Sequence, residues 1–262
     1  MKNTQLAMRS RKNMIVKAII AATIALGAST AQAATNNWAG GYAGIDLGVG
    51  FDLGDSGQLK YRRVDGSDNS AAINSAFGSN FDGEFEAGGT AGVRAGYNFQ
   101  DNNLVYGVIG DISYADITEE QRAFSNTPRT YIERRELNTL VTLRGKLGYA
   151  SDLPILPFIT GGIAYGNTKY SWQGNSGAFR GDNGEDGNGI GYVVGMGVDF
   201  MLNEQMTMGL EFLHYNLGDS GYQARFSGPA AFGSAASGGS IQEGTKEDFA
   251  FQTLKVSLNW KF

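Results

Sequence analysis

Seven charged side chains recur inside apolar segments of this 262-residue sequence, and their types and spacing limit the chemistry they could perform. They carry both signs, and apolar neighbours would face the opposite side of each extended strand. A charge that folding removes from water must be paired, because its desolvation cost is otherwise prohibitive. The pattern therefore predicts a buried ion-pair network of mixed sign. Its members are Arg94, Asp111, Arg144, Lys146, Asp199, Glu211 and Lys255.

Composition restricts nucleophilic and metal chemistry. The chain has no cysteine and a single histidine, His214. Thiolate zinc sites, disulfide frameworks and cysteine nucleophiles are therefore excluded. One histidine also leaves little scope for a metal site or a catalytic triad, so we expect no cofactor.

The charged residues lie in segments with a two-residue hydrophobic period, which indicates β-strands with one apolar face. In the last of these segments, for example, Leu254, Val256 and Leu258 alternate with Lys255 and Ser257. Eight such segments can be counted. They are Ile45–Phe51, Val93–Phe99, Leu104–Tyr114, Leu137–Tyr149, Phe158–Trp172, Ile190–Phe200, Met208–Phe212 and Leu254–Phe262.

The alternation assigns faces less simply in the fourth and fifth segments. In the fourth, the pattern places Leu137 on the apolar face and Glu136 on the polar face with Arg144. In the fifth, the pattern does not decide which face is apolar. Apolar residues occur on both faces: Ile159, Ile163 and Tyr165 on one, and Phe158, Tyr170 and Trp172 on the other.

The connections between segments alternate strictly between long and short. Long connections of about 35, 16, 16 and 30 residues are separated by short turns near Gln100–Asn103, Ser151–Pro154 and Asn203–Gln205. This rhythm is typical of outer-membrane barrels, which have long external loops and short periplasmic turns. The alternative, a secreted β-sandwich, has no reason to keep it. The predicted fold is all-β: a closed, antiparallel, up-and-down transmembrane β-barrel of eight strands with four long external loops.

The first 33 residues differ from the rest of the chain. A basic start precedes the short apolar run Ala18–Gly27 and the small-x-small sequence Ala31–Ala33. This pattern predicts a signal peptide over residues 1–33, cleaved after Ala33, followed by the barrel domain over residues 34–262. Cleavage would remove five of the 21 basic residues and none of the 26 acidic ones, leaving a net charge of about −10. Nucleic acid is therefore not expected as a partner.

Several stretches carry a family resemblance. They include Trp38–Gly48, Gly92–Tyr97, Leu143–Tyr149, Pro157–Gly166 and Leu210–Gly218. In these stretches and the terminal strand, the chain resembles small outer-membrane barrel proteins of the Omp25/Omp31 type, within the porin-family or OmpA-like barrel group. The resemblance implies an eight-stranded, surface-exposed and often antigenic protein of the bacterial cell envelope, with no single agreed activity.

An eight-stranded barrel has an interior only wide enough for side chains to fill it. Five of the seven charged residues lie six to eight residues from the nearest periplasmic turn or terminus, so we expect them in one layer near mid-membrane. Lys146 and Asp199 would form a second layer nearer the periplasm. The alternative is a narrow polar channel for ions or small solutes.

The remaining motifs predict no catalytic site. Lipid A deacylases are barrels of this size, but His214-Tyr215-Asn216 lacks their His-x-Ser arrangement, so we expect His214 to be an interfacial residue. Arg180-Gly181-Asp182 could contact a host integrin. The stretch Asp182–Gly189 could suggest calcium, but position twelve of an EF-hand loop would be Val193 instead of Glu. A solvated, flexible loop is the simpler interpretation.

We therefore expect a non-enzymatic structural protein of the outer membrane that contributes to envelope integrity and exposes antigenic loops, chiefly Asp52–Glu86 and Gly218–Glu247. A channel and an adhesin or host-ligand-binding protein remain the alternatives. Expected partners are outer-membrane lipid, lipopolysaccharide, and host surfaces or antibodies. The barrel-assembly machinery would recognise a terminal signal formed by Leu258, Trp260 and Phe262.

Overall fold

The computed structural model describes residues 37–54, 57–183, 187–219, 221–244 and 248–262. The predicted signal peptide, residues 1–33, lies outside the described residues. The described part of the chain contains thirteen β-strands, one short α-helix and one turn of 3-10 helix, Ala235–Ser237. They are β1 (Gly40–Phe51), β2 (Leu59–Arg63), α1 (Ser70–Phe77), β3 (Phe81–Glu86), β4 (Gly88–Asp101), β5 (Leu104–Phe124), β6 (Thr130–Tyr149), β7 (Ile155–Gly174), β8 (Phe179–Asp182), β9 (Gly187–Asn203), β10 (Met206–Asn216), β11 (Ala224–Phe226), β12 (Ser240–Gly244) and β13 (Ala250–Lys261).

Eight of these strands form a closed antiparallel ring, which confirms the predicted fold class. Around the ring they follow the order β1, β4, β5, β6, β7, β9, β10 and β13, and β13 pairs with β1. Closure pairs the backbone groups that an open sheet edge would leave exposed to lipid. Within the described residues no helix is long and apolar enough to cross a membrane.

Alternation along the ring strands separates an apolar outer face from a packed interior. Leu47 on β1 is 64% exposed, whereas Asp46 beside it is 2% exposed. The ambiguous fifth segment is β7. There Ile159 and Ile163 point outwards and Phe158 is buried. The even-numbered residues around Phe158 therefore face the interior.

The second external connection is not a loop of about 16 residues. Instead β5 and β6 continue as a paired hairpin for 21 and 20 residues, far beyond the apolar band, to a turn over residues 125–129. A register shift lies between Leu137 and Thr139, opposite Ala115 and Asp116. Such a bulge adds a residue to one strand and therefore reverses which parity faces inwards.

This bulge corrects two sequence-based assignments. Leu137, which the pattern placed on the outer face, is fully buried inside. Glu136, which it placed inside, forms an outer ion pair with Arg134 that is 39% exposed at the carboxylate. The bulge also explains Gly88 at the start of β4, because a Cβ there would lie 1.4 Å from the carbonyl oxygen of Asp116.

The other external segments fold into a cap. Strands β2, β12, β11 and β8 form a second, four-stranded antiparallel sheet, and β3 pairs with β5. The segments that we expected to be polar loops thus contribute an aromatic core of their own. Its largest buried members are Tyr61, Phe77, Tyr131, Phe226 and Phe232.

Candidate functional site: the layered interior of the barrel

The middle of the barrel interior contains a network of buried ion pairs. The Arg94 guanidinium donates two hydrogen bonds to the two carboxylate oxygens of Glu211, at 3.1 and 3.0 Å. Arg144 contacts Asp111 at 2.9 Å and Glu211 at 3.4 Å. All four side chains are at most 4% exposed. Glu211 therefore bridges two arginines, a geometry that satisfies both carboxylate oxygens.

Lys255 joins a third carboxylate to this network. Its ammonium lies 3.0 Å from Asp46 and 3.3 Å from Asp111, and it donates a hydrogen bond to the Ser113 hydroxyl at 3.0 Å. The Thr142 hydroxyl donates to Asp111 as well. Sequence reasoning missed Asp46. Its position between Ile45 and Leu47 on β1, with the opposite parity, was the signal that could have found it.

A second ion pair lies nearer the short turns. Lys146 contacts Asp199, and its ammonium is 4.2 Å from the centre of the Phe158 ring, a cation–π geometry. A Cβ at Gly197 would lie 2.5 Å from the Phe158 ring, so only glycine leaves room for that ring. The structure brings the seven sequence-predicted residues and Asp46 into two contact groups that contain four cations and four anions.

Apolar side chains fill the barrel on both sides of these charges. On the cap side, eleven buried residues form one cluster. Its fully buried members include Ile117, Leu137, Tyr215 and Phe251. On the periplasmic side a smaller cluster is built around Trp38 and includes Val105, Ala150 and Leu156. The interior thus consists of stacked layers, and a charged layer is enclosed between two apolar ones.

A further polar layer lies beneath the cap, beyond the membrane-spanning part of the strands. Glu119 and Arg135 form an ion pair of 2.9 Å, and Arg135 also lies 5.4 Å from the Phe249 ring centre. The Gln242 amide on β12 donates to the Glu133 carboxylate at 3.1 Å. Sequence reasoning missed these residues because it assigned them to a loop.

Burial raises the pKa of the Glu133 carboxyl above its ordinary value, although Arg135 and the hydrogen bond from Gln242 oppose the shift. Two carboxylates, Glu119 and Glu133, share one arginine in this layer. Protonation of Glu133 therefore removes the unbalanced charge beneath the cap. Because the pKa of Glu133 is higher in the folded state than in the unfolded state, protonation stabilises the folded state. This contribution is complete below the unfolded-state pKa and is lost as the pH rises through the folded-state pKa.

We therefore expect the cap to be more stable at pH 5 than at pH 8. The urea midpoint of cap unfolding, followed by the fluorescence of Trp172 in the cap core, should fall as pH rises. Glu133→Gln should weaken this pH dependence, because glutamine does not titrate. Glu243→Gln, at an exposed ion pair with Arg62 in the four-stranded cap sheet, is the matched control and should keep the pH dependence. An unchanged slope in Glu133→Gln would contradict the assignment.

The other residues singled out from the sequence have defined places. His214 lies partly buried on β10, with its ring nitrogen 3.1 Å from the Gln252 amide and its ring centre 6.2 Å from that of Tyr192. Arg180 and Asp182 are part of strand β8 and not of a free loop tip. Arg180 donates to Ser227 and to backbone carbonyls, and Asp182 accepts from the Tyr222 hydroxyl.

In the ranges that the structure describes, no cluster of three acidic or histidine side chains could hold a metal ion. Residues 184–186 of the calcium candidate lie outside the described residues. Leu258 and Trp260 lie on the outer face of β13, and Phe262 is 86% exposed. Their recognition by the assembly machinery stays a prediction.

A closed eight-stranded ring with an apolar outer face, short turns at one end and a side-chain-filled interior defines a β-barrel of the bacterial outer membrane. The model of the family described as "Outer membrane protein beta-barrel domain" matches residues 19–262, and the chain belongs to this family. It is an outer-membrane surface protein.

Individual relatives agree with this assignment. The chain is 29% identical over 186 residues to the 31 kDa outer-membrane immunogenic protein of Brucella melitensis, covering 70% of this chain and 73% of the relative. It is 26% identical over 192 residues to the 25 kDa outer-membrane immunogenic protein of Brucella abortus, covering 71% and 68%. The resemblance to the Omp25/Omp31 type is confirmed. The outer membrane protein OprG of Pseudomonas aeruginosa has a similar fold, with a TM-score of 0.50, 14% identity, and 86% and 96% coverage.

Proposed function

We propose that this protein is a non-conducting, non-enzymatic structural component of the outer membrane that anchors a folded external cap. The observation that carries the proposal is the stack of buried layers across the barrel. A conducting path would have to pass the Trp38 cluster, the Arg144 ion-pair layer and the Tyr215 cluster. Each of these consists of side chains in direct contact.

The proposal predicts a silent bilayer. The mature barrel, refolded in detergent and checked by a gel shift between boiled and unboiled samples, should give no reproducible conductance steps in a planar bilayer. The physical reason is that an ion would have to displace paired charges and dry apolar side chains at once. Steady openings that change with Arg144→Ala would instead establish the narrow channel.

A second property follows from a filled barrel, namely a contribution to envelope integrity. Removal of the protein should make cells more sensitive to detergent, and the wild-type gene should restore resistance. The cap is the part that would meet antibodies and host surfaces, because it is built from the external segments. Its outer ion pairs are Glu84–Arg122 at 2.5 Å and Glu120–Arg134 at 2.7 Å. They lie on β3 and the β5–β6 hairpin above the apolar band, where lipopolysaccharide head groups are the expected neighbours.

A further inference from the structure

The outermost end of the cap contains a recess of about 330 Å³ between four chain segments. These segments are the end of α1, the turn between β5 and β6, the turn between β7 and β8, and the connection between β11 and β12. A volume of this size lies within the range of small-molecule binding sites, about 300–1,000 Å³. Each segment supplies only one wall, so the recess forms only when all four segments pack together.

The lining of the recess combines an aromatic floor with a polar rim. Phe77, Tyr131 and Phe232 belong to the buried aromatic core beneath it. Ser125 and Ser227 add hydroxyl groups to the lining, and the Ser227 hydroxyl also accepts a hydrogen bond from Arg180. A ring-shaped ligand with polar substituents suits such a surface, because aromatic side chains contact its apolar face while hydroxyls and cations orient its polar groups.

Charge at the recess is opposite to that of the protein as a whole. The chain has 26 acidic and 21 basic residues. Among the described residues that line the recess, however, there are two arginines, Arg129 and Arg180, and no carboxylate. An acidic protein that concentrates positive charge in one external cavity attracts anions to that cavity.

The two arginines differ in how far the fold already uses them. Arg180 donates to the Ser227 hydroxyl at 2.8 Å and to the backbone carbonyls of Gly177, Phe179 and Ser227. It is held in place by these bonds. Arg129 donates one hydrogen bond, to the Asn175 carbonyl at 3.1 Å. In the part of the chain that the structure describes, neither guanidinium forms an ion pair with a carboxylate, and Arg129 has donors left for a ligand.

We propose that this recess binds a small anionic ligand in which a carboxylate, sulfate or phosphate group is attached to a sugar-sized ring. Arg129 is the anion-binding residue, Arg180 adds positive potential from a fixed position, and the serine hydroxyls contact the ring substituents. Such groups occur both on free metabolites and on the ends of surface glycans. This inference is independent of whether the barrel conducts.

The experiment measures binding of defined probes to the full refolded protein by calorimetry at low salt. Glucuronic acid and glucose 6-phosphate carry the anionic group, and glucose is the neutral control. We expect saturable binding of at least one anionic sugar and at least about tenfold weaker binding of glucose, since hydrogen bonds to a charged group are stronger than those to a neutral one. Glucuronic acid linked to a bead through its anomeric oxygen, with its carboxylate free, then tests whether a glycan end is also accepted.

Matched variants assign the binding to the recess. Arg129→Gln should weaken anionic-sugar binding about tenfold, because it removes the charge and most donors. Arg225→Gln makes the same charge change at an exposed position of β11 outside the recess and should leave affinity unchanged. Arg180→Gln would remove both the charge and the bonds that hold the cap. Arg180→Lys is therefore used as the second variant; it keeps the positive charge and should retain most of the binding while the cap stays folded. Three results would overturn the proposal: equal affinity for glucose and its anionic relatives, no binding of any probe at about 10 mM, or equal loss in Arg129→Gln and Arg225→Gln.

Discussion

Glu211→Leu should destabilise the refolded barrel by about 3–5 kcal/mol, one of the two largest effects that we expect for a single substitution in this protein. The Glu211 carboxylate binds Arg94 at 3.0 Å and Arg144 at 3.4 Å. Its removal leaves Arg94 as a buried cation with no described carboxylate within ion-pair distance. The measurement is the midpoint of the unboiled-to-boiled gel shift, or of guanidinium unfolding, with the wild type in parallel.

Two further variants test whether the destabilisation comes from leaving a buried charge unpaired. Glu243→Gln removes the exposed pair with Arg62 and should change the midpoint little, because exposed ion pairs contribute little to stability. The double variant Arg94→Met/Glu211→Leu should regain part of the stability, since replacing both partners leaves no unpaired charge between them. A Glu211→Leu barrel as stable as the wild type would mean that the network does not hold the barrel together.

Phe226→Ala should unfold the cap and leave the barrel intact. Phe226 is 1% exposed, and its ring lies within 6 Å of the rings of Tyr61, Trp172 and Phe232, at 5.8, 4.9 and 5.2 Å. Large-to-small substitutions of buried aromatic residues cost about 3–5 kcal/mol. A four-stranded sheet of three- to five-residue strands has little other core from which to make up this loss.

The readout for the cap must differ from that for the barrel. Limited proteolysis should cleave Phe226→Ala between β8 and β12 at protease concentrations that leave the wild type uncut, while the gel shift of the barrel is unchanged. Phe124→Ala is the matched control, because Phe124 is 41% exposed at the end of β5. Protease resistance equal to that of the wild type would show that the aromatic cluster is not what holds the cap.

Period-two alternation allowed the membrane-spanning part of this protein to be predicted without any tertiary information. Leu47 and Val93 could be assigned to the outer face because successive strand residues point to opposite sides. The same rule assigned Arg94 and Glu211 to the interior, where the structure places them 3.0 Å apart. Because an eight-stranded ring has a fixed circumference, inward residues at similar depth on different strands come close together.

The tertiary structure decided what alternation does not encode. The extra residue at Asn138 reverses the parity of β6, and no local pattern announces it, so Leu137 and Glu136 were assigned to the wrong faces. The cap depends on pairs that are distant along the chain, such as Leu59 with Gly244 in β2 and β12. The strand pattern is a local property and can be read from neighbouring residues, whereas the cap and its recess exist only because the closed barrel brings the external segments together at one end.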